Sequence, residues 1–465
     1  MRDLLGLSIL TGLCGVALFH PWIGIIGWTY ISIMNPHRFS WAVSVMPVAA
    51  VVAMATLVGM VLSRDRVRPF LTPTLAVFIL FALWMCVTLP FSMSFDLSYE
   101  LWSRAMKIDF MILVAATLLY TRKHMMALVW ALVISLGLYG VKGGIFTIVT
   151  SGDFRVWGPE GSYIEGNNEL ALALVISIPL MRFLQLQYRS AWIRYGLGAM
   201  MILSATAALG TQSRGALLAI VAMAIVLWSR TRHKVTAGIV MVLIGIALVA
   251  FMPGKWDTRM GTILTYQEDS SATGRINAWW MAYNLAKDNF FGGGFDIYTP
   301  EIFARYAPDP LDVHAAHSIY FQVLGEHGFV GLALFLLLWF MAWRDARWLR
   351  RNGSRHSESA WTSDLGAMIQ ASIVGYAVGG ALPWTKATLS ESSFVRSATW
   401  PGTPPIPIGA SFFGSTRTRP ASASSVPARA TRSSWSTAGR RRARRPMSSR
   451  RTRRRSAKRE ARLPR

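Results

Sequence analysis

Apolar runs alternate with short polar connectors over the first 384 residues, and arginine and lysine collect in every second connector. A helix needs about 20 mostly apolar residues to cross a bilayer, and by that measure the chain makes about eleven crossings. They fall at Leu4–Met34 (one kinked or re-entrant unit, broken at Pro21), Ala42–Leu62, Leu71–Leu89, Trp102–Tyr120, Met125–Val141 and Leu170–Leu184. Tyr195–Leu209, Ala216–Trp228, Val235–Met252, Gly328–Trp343 and Leu365–Trp384 complete the set. The basic connectors are Arg64/Arg66/Arg68, Arg122/Lys123, Arg182/Arg189/Arg194, Arg230/Arg232/Lys234 and Arg344/Arg347/Arg350/Arg351/Arg355. Basic loops stay cytoplasmic, and threading from a cytoplasmic N-terminus puts all five connectors on that side. Asn35–Trp41, Ser151–Glu169, Thr211–Gly215 and Pro253–His327 then face outward.

The fold class is therefore an all-α, polytopic integral membrane protein with one long, mostly helical periplasmic loop. Residues 1–252 form a transmembrane bundle, 253–327 the loop, and 328–383 the closing transmembrane helices. Composition agrees: hydrophobic residues make up 53% of the chain, charged residues 15%, and mean hydropathy is +0.37, which excludes an ordinary soluble domain. Trp41, Trp228 and Trp343 sit near span ends, where amphipathic rings anchor at headgroups. Cys14 and Cys86 both fall inside spans, so there is no disulfide framework or CxxC metal site. The apolar N-terminus has no convincing cleavage site and runs into more apolar sequence, so it is expected to be retained.

Charge changes the picture only at the C-terminus. Residues 384–465 carry 20 Lys/Arg against Glu391 and Glu460, a net +18 of the chain's +25. This Arg/Ser/Ala/Pro-rich tail has no helical period and is expected to be disordered. Three readings compete: a segment binding anionic lipid, one binding nucleic acid, or the product of a reading-frame error in GC-rich coding DNA. Eleven crossings leave the tail outside, where so much positive charge breaks the sidedness rule, and this favours the third. Nucleic acid is not expected as a partner.

Most outward loops are short, and the exception, Pro253–His327, has a length usually reserved for function. Ser271–Gly274 is read as capping a helix over Arg275–Phe290, with Ile276, Trp279/Trp280 and Tyr283 at helical spacing. Gly292–Gly294 breaks the chain. After Pro308 and Pro310, Asp312 is read as capping a second helix carrying His314, His317, Tyr320 and Leu324. Gly292–Gly294 lacks the GxGxxG pattern and a preceding strand, which argues against a nucleotide cradle.

Three outward residues draw attention. Arg214, in Thr211-Gln-Ser-Arg-Gly215, sits at a membrane boundary, where arginine is costly unless it pairs or faces a polar cavity; the bland alternative is a snorkelling side chain. Arg275, in the expected first helical turn, can join the exposed backbone N–H groups to bind one anion. Its bland alternative is a surface arginine beside Glu268 or Asp269. His317, with an ordinary pKa near 6.5, suits a general base, against the alternative of a packing histidine on an apolar face. His314 and His317 with Glu326 and His327 invite a metal reading, but no HExxH or comparable spacing is present and none is expected.

At these residues the chain resembles the O-antigen ligase and polymerase superfamily of bacterial inner-membrane glycosyltransferases. The matching pieces are Ser213-Arg214-Gly215, Gly274-Arg275-Ile276 with Trp279, and Phe291-Gly-Gly-Gly294. His317-Ser-Ile-Tyr-Phe-Gln-Val-Leu-Gly-Glu-His-Gly328, with its His-x10-Gly spacing, is the strongest. Gly166-Asn167-Asn168-Glu169 is also similar. The opening Pro21-Trp-Ile-Gly and Asn35-Pro-His-Arg38 resemble the branch of O-glycosylation ligases associated with the exosortase A system. The likeness covers roughly residues 1–381. Beyond that the family continues with hydrophobic sequence, which strengthens the reading-frame interpretation.

The resemblance implies a donor glycan on an undecaprenyl pyrophosphate carrier, an acceptor hydroxyl on protein or lipid, and contact with membrane lipids. Arg214 and Arg275 would neutralise charge developing on the leaving pyrophosphate. His317 would take the acceptor's proton as its oxygen attacks the anomeric carbon. Ser213, Asn168, Trp279, Trp280 and Tyr320 are the implied substrate contacts, although Trp279 and Trp280 serve equally well as membrane-surface anchors. One direct displacement implies inversion and needs no cofactor. Two rivals remain: a polymerase joining lipid-linked repeats at the same site, and a flippase or transporter. The latter typically places polar residues within its spans, and these spans have few.

Overall fold

The computed structural model describes residues 2–36, 46–63, 71–162, 164–231, 233–250, 270–355 and 359–381. Among the described residues there are fourteen α-helices and no strand. The basic connector at 64–68 and the tail beyond residue 381 lie outside the described residues, as do 251–269 of the long loop.

The expected break at Pro21 is a complete reversal. α1 (Arg2–Phe19) and α2 (Pro21–Met34) form an antiparallel hairpin with its tip at His20. Gly27 lies against Leu13 and Gly24 against Ala17, while Leu10 and Ile31 share one apolar cluster. α3 (Val48–Leu62) seals the hairpin. A Cβ on Gly59 would lie 2.1 Å from the Ala17 carbonyl, so only glycine lets these backbones approach.

α4 (Pro73–Thr88) begins on a Thr72 cap, whose hydroxyl accepts from the Leu75 amide at 3.1 Å, with proline in the first turn. α5 (Phe95–Leu118) and α6 (Arg122–Val149) follow. α7 (Asn167–Gln187), α8 (Ala191–Gly210) and α9 (Arg214–Ser229) pack with α14 (Ala360–Ala381) around Leu170, Leu174, Ala207, Ala219, Met223 and Ala371. Small residues let α6 and α8 touch: Gly140 faces Ser204, and Gly144 meets the Leu203 carbonyl. α10 (Lys234–Ala250) precedes the long loop, which carries α11 (Ser270–Asp288) and the short α12 (Pro300–Tyr306). α13 (Ile319–Gly353) kinks at Gly328, whose φ of 68° is open to glycine.

Five helical segments are long and apolar enough to cross a membrane among the described residues: Pro73–Phe91, Arg122–Val149, Asn167–Gln187, Ala191–Gly210 and Ile319–Gly353. Other expected crossings are shorter apolar helices, including α2 with 14 residues and α3 with 15. The chain is a multi-pass, all-helical membrane protein.

Its two ends differ chemically. At one end the basic connectors gather: the Arg122 guanidinium donates to Gln187 at 3.5 Å, and Gln187 donates to Asp364 at 3.0 Å. Arg230 donates to Gln370 at 3.0 Å, and Lys123 lies over the Trp22 ring. At the other end several connecting loops meet. The Met93 amide donates to Gly293, Ser98 to Phe295, Val156 to Gly210, and Gln212 to Gly152, all within 2.8–3.2 Å. Asn35 lies at this loop end, as expected. The N-terminus does not follow expectation. The hairpin tip at His20–Trp22 touches His124 at the basic end, so Arg2 begins at the loop end rather than with the basic connectors. A proline at the reversal divides one long apolar run into two passes of the bundle, which shifts the first residue to the opposite end.

Candidate functional site

The site is built where α11 meets the segment between α12 and α13. Residues 312–318 form no helix, contrary to the expected Asp312-capped helix. Side chains of α11 satisfy that segment's backbone instead. Asn277 donates to the carbonyls of Asp309 and Asp312 at 2.8 and 3.0 Å and accepts from the Asp309 amide at 2.8 Å. Trp279 donates to the Ala316 carbonyl at 2.9 Å. Asp312 contacts His314 at 2.6 Å rather than capping a helix. His314 and His317 therefore have no i, i+3 helical relationship, and His317 shares no helical face with Tyr320 and Leu324.

Gly274 makes this approach possible, since a Cβ there would lie 2.6 Å from His314 Nδ1 and 2.8 Å from Asp312. The next residue, Arg275, is 2% exposed, so it is no surface arginine. α11 starts at Ser270, which places Arg275 in the second turn and not among the free N–H groups of the first. Its contribution is its buried guanidinium, and the expected joint anion site with the helix terminus does not form. A buried cation is costly in a low dielectric unless charge or hydrogen bonds compensate it.

His317 stands beside it. The residue has φ 47°, left-handed backbone that a histidine rarely adopts and that costs on the order of 1–3 kcal/mol. Burial, the Arg275 charge and neighbouring His314 lower its pKa to about 4. The ring is therefore neutral at neutral pH, with one nitrogen available as a proton acceptor.

Arg214 opens α9 directly after Ser213, whose buried hydroxyl caps the helix by accepting from the Ala216 amide at 3.3 Å. Asn167 ties α7 to this turn, donating to the Thr211 carbonyl at 3.0 Å. The turn and Ile319, the first residue of α13, approach the neighbouring glycines Gly379 and Gly380 near the end of α14. A Cβ on Gly379 would lie 3.9 Å from the Gly215 carbonyl, and one on Gly380 would lie 2.6 Å from Ile319. The Arg275 charge thus acts on His317, and the turn that carries Arg214 lies against the same end of α14 as the first residue of α13.

Other expected substrate contacts have structural duties. Tyr320 donates its hydroxyl to the Ala377 carbonyl at 3.0 Å, locking α13 to α14. Trp279 stacks on Phe321 at 4.9 Å, which removes one face from any sugar, whereas Trp280 is half exposed. Asn168 is buried in the first turn of α7. His327 is turned away from His317, its Nδ1 lying 2.9 Å from the Thr88 hydroxyl, and Glu326 accepts from Gln322 at 3.1 Å. The four residues that invited a metal reading thus have partners in different neighbourhoods. Asn277 is the residue that sequence reasoning missed. Its signal was a polar side chain placed between the apolar Ile276 and Ala278.

Two family models match the chain. Residues 199–336 match the O-Antigen ligase family, and residues 1–189 match a family of unknown function, DUF5935. The first interval contains Arg214, Arg275 and His317. It supports the O-antigen ligase superfamily and, with the helical fold, a membrane glycosyltransferase-like ligase. No curated protein and no solved structure matches the chain.

Proposed function

We propose that this protein is a glycan ligase of the inner membrane, working on the periplasmic face. It moves a glycan from an undecaprenyl pyrophosphate carrier to an acceptor hydroxyl, with protein O-glycosylation as the physiological reaction. The observation that carries this reading is the juxtaposition of a neutral, conformationally constrained His317 with the buried Arg275 cation, inside the O-antigen ligase match.

The chemistry follows from those charges. The acceptor oxygen attacks the anomeric carbon as the bond from that carbon to the phosphate oxygen breaks. The bonding pair leaves on the pyrophosphate, where Arg275 and Arg214 oppose the developing negative charge. His317 removes the acceptor's proton, and the displacement inverts the anomeric centre. A pKa of about 4 makes the free imidazole a weak base. Burial is the larger cause of that depression and the Arg275 charge the next; a bound diphosphate offsets the second, so donor binding raises the basicity of His317 part of the way before transfer. Catalytic competence is thus coupled to donor occupancy.

The test is transfer by membranes containing His317→Ala or Arg275→Ala chains, with insertion checked separately. Each substitution is expected to lower transfer by about 10²–10⁴-fold, the range for losing a positioned acid–base or electrostatic group. Wild-type rates in both variants would remove these residues from the mechanism. Mass analysis identifies the product: a ligase modifies protein or lipid acceptor, a polymerase lengthens the carrier-bound chain, and a flippase makes no covalent change.

A further inference from the structure

A second feature of the loop end has no part in this chemistry. A cavity of about 670 Å³ opens between the end of α2, the outer third of α6 and the 153–160 loop. Asn35, Tyr139, Lys142, Arg155, Trp157 and Glu160 supply its polar and aromatic lining, and Phe146, Val156 and Leu170 its apolar floor. Backbone hydrogen bonds hold the 153–160 loop in place. The Val156 amide donates to the Gly210 carbonyl at 3.0 Å, and the Gly158 amide to the Glu165 carbonyl at 2.8 Å.

Lys142 is the informative residue. It lies on α6 seven residues before Val149, about 10 Å from the helix end at 1.5 Å per residue. A lysine this near a helix end extends its ammonium toward the interface, and here the side chain lines the cavity. Among the described residues Lys142 has no ion pair. Arg155 sits across the cavity over the Trp157 ring at 5.7 Å and likewise has no carboxylate partner among the described residues. Ile145, Phe146 and Val149 on α6, and Phe154 and Trp157 on the loop, are exposed apolar side chains. Two cations against one carboxylate, Glu160, leave the cavity net positive above an apolar floor, which matches an amphiphile with a phosphate head better than a free sugar.

We propose that this cavity holds the headgroup phosphate of a membrane lipid, with Lys142 and Arg155 as its cationic ligands. The lipid chain lies along the exposed face of α6. This assignment is independent of the transfer reaction, because none of these residues belongs to the His317 site.

The test is lipid retention by the delipidated full-length chain, measured by native mass spectrometry with three probes: phosphatidylglycerol, undecaprenyl phosphate and diacylglycerol. The two phosphate lipids are expected to be retained and diacylglycerol lost. Removal of each cation, as Lys142→Gln and Arg155→Gln, is expected to weaken retention roughly tenfold, the size of one charge-assisted contact. Lys142→Arg should preserve it. Displacement of phosphatidylglycerol by undecaprenyl phosphate would assign the site to the carrier lipid, and the reverse to bulk bilayer lipid. Equal retention of diacylglycerol by the wild-type chain would overturn the proposal without reference to any variant. So would wild-type phosphatidylglycerol retention by the double variant.

Discussion

The N-terminal hairpin and the α11 clamp are both tight contacts made possible by glycine, yet different forces hold them. In the hairpin, Leu10, Ile31, Val48 and Val52 pack without a polar side chain among them, and Gly59 allows backbone contact with Ala17. In the clamp, Gly274 allows an equally close approach, but the neighbours are His314 and Asp312, and Asn277 and Trp279 hold the opposing backbone. Van der Waals packing of small residues suffices where the surroundings are lipid. A segment that must present a neutral histidine in a strained conformation needs directional bonds from a rigid helix. The hairpin is built to stay in the membrane, and the clamp is built to position one ring.

The sharpest way to break this comparison is to exchange the effects of mutation. His317→Ala and Arg275→Ala should lose at least about 10²-fold in transfer with normal insertion, whereas Gly59→Leu should reduce the amount of inserted protein and leave the specific activity of the remainder intact. Immunoblotting normalised to activity separates the two. Asn277→Ala comes next. It removes the partner of two carbonyls and one amide on a part-buried segment, at about 0.5–1.5 kcal/mol for each lost hydrogen bond. Hydrogen exchange should rise over residues 309–317 and not over α1–α2, with transfer falling in parallel.

The pH dependence sharpens the claim about His317. Its folded pKa, about 4, lies below the ordinary 6.5, so the unfolded chain binds the extra proton first. Local stability from this residue is complete above pH 6.5 and is lost as pH falls from there toward 4. The neutral base persists through the same interval in the folded protein, so the free enzyme's acid limb in kcat/KM should sit well below that of an ordinary histidine. In Arg275→Gln the His317 resonance should titrate closer to 6.5, as followed by NMR of a ring-labelled chain. The smallest expected effect is that of Trp280→Ala, since the ring is half exposed and its described ring contact is with Tyr283. Its transfer rate should change by no more than a few fold.

The sequence made the helical bundle legible because hydrophobic runs and basic connectors report local physics. The helix read over Arg275–Phe290 is present as α11, but it starts at Ser270, five residues before the expected first turn. The clamp was hidden for the complementary reason. Residues 312–318 look like a capped helix because Asp312 precedes alternating polar and apolar side chains, yet Asn277 and Trp279, more than thirty residues away, take over the hydrogen bonding. No local pattern encodes that. The burial of Arg275 was equally hidden, since a basic residue after a glycine reads as surface. Pro21 marked the break in the first apolar run, but whether the chain bent or reversed depended on Gly24, Gly27 and Gly59 meeting distant partners.

Cysteine accessibility tests the central claim, that the His317–Arg275 site sits at the end of the bundle opposite the basic connectors and faces outward. Trp280 and Trp348 are both exposed, the first on α11 beside the site and the second on α13 among the arginines. With Cys14 and Cys86 replaced by serine, Trp280→Cys in intact spheroplasts should react with a membrane-impermeant maleimide, and Trp348→Cys should react only after lysis. Labelling of position 348 from outside, with position 280 protected, would contradict the proposed orientation and the function built on it.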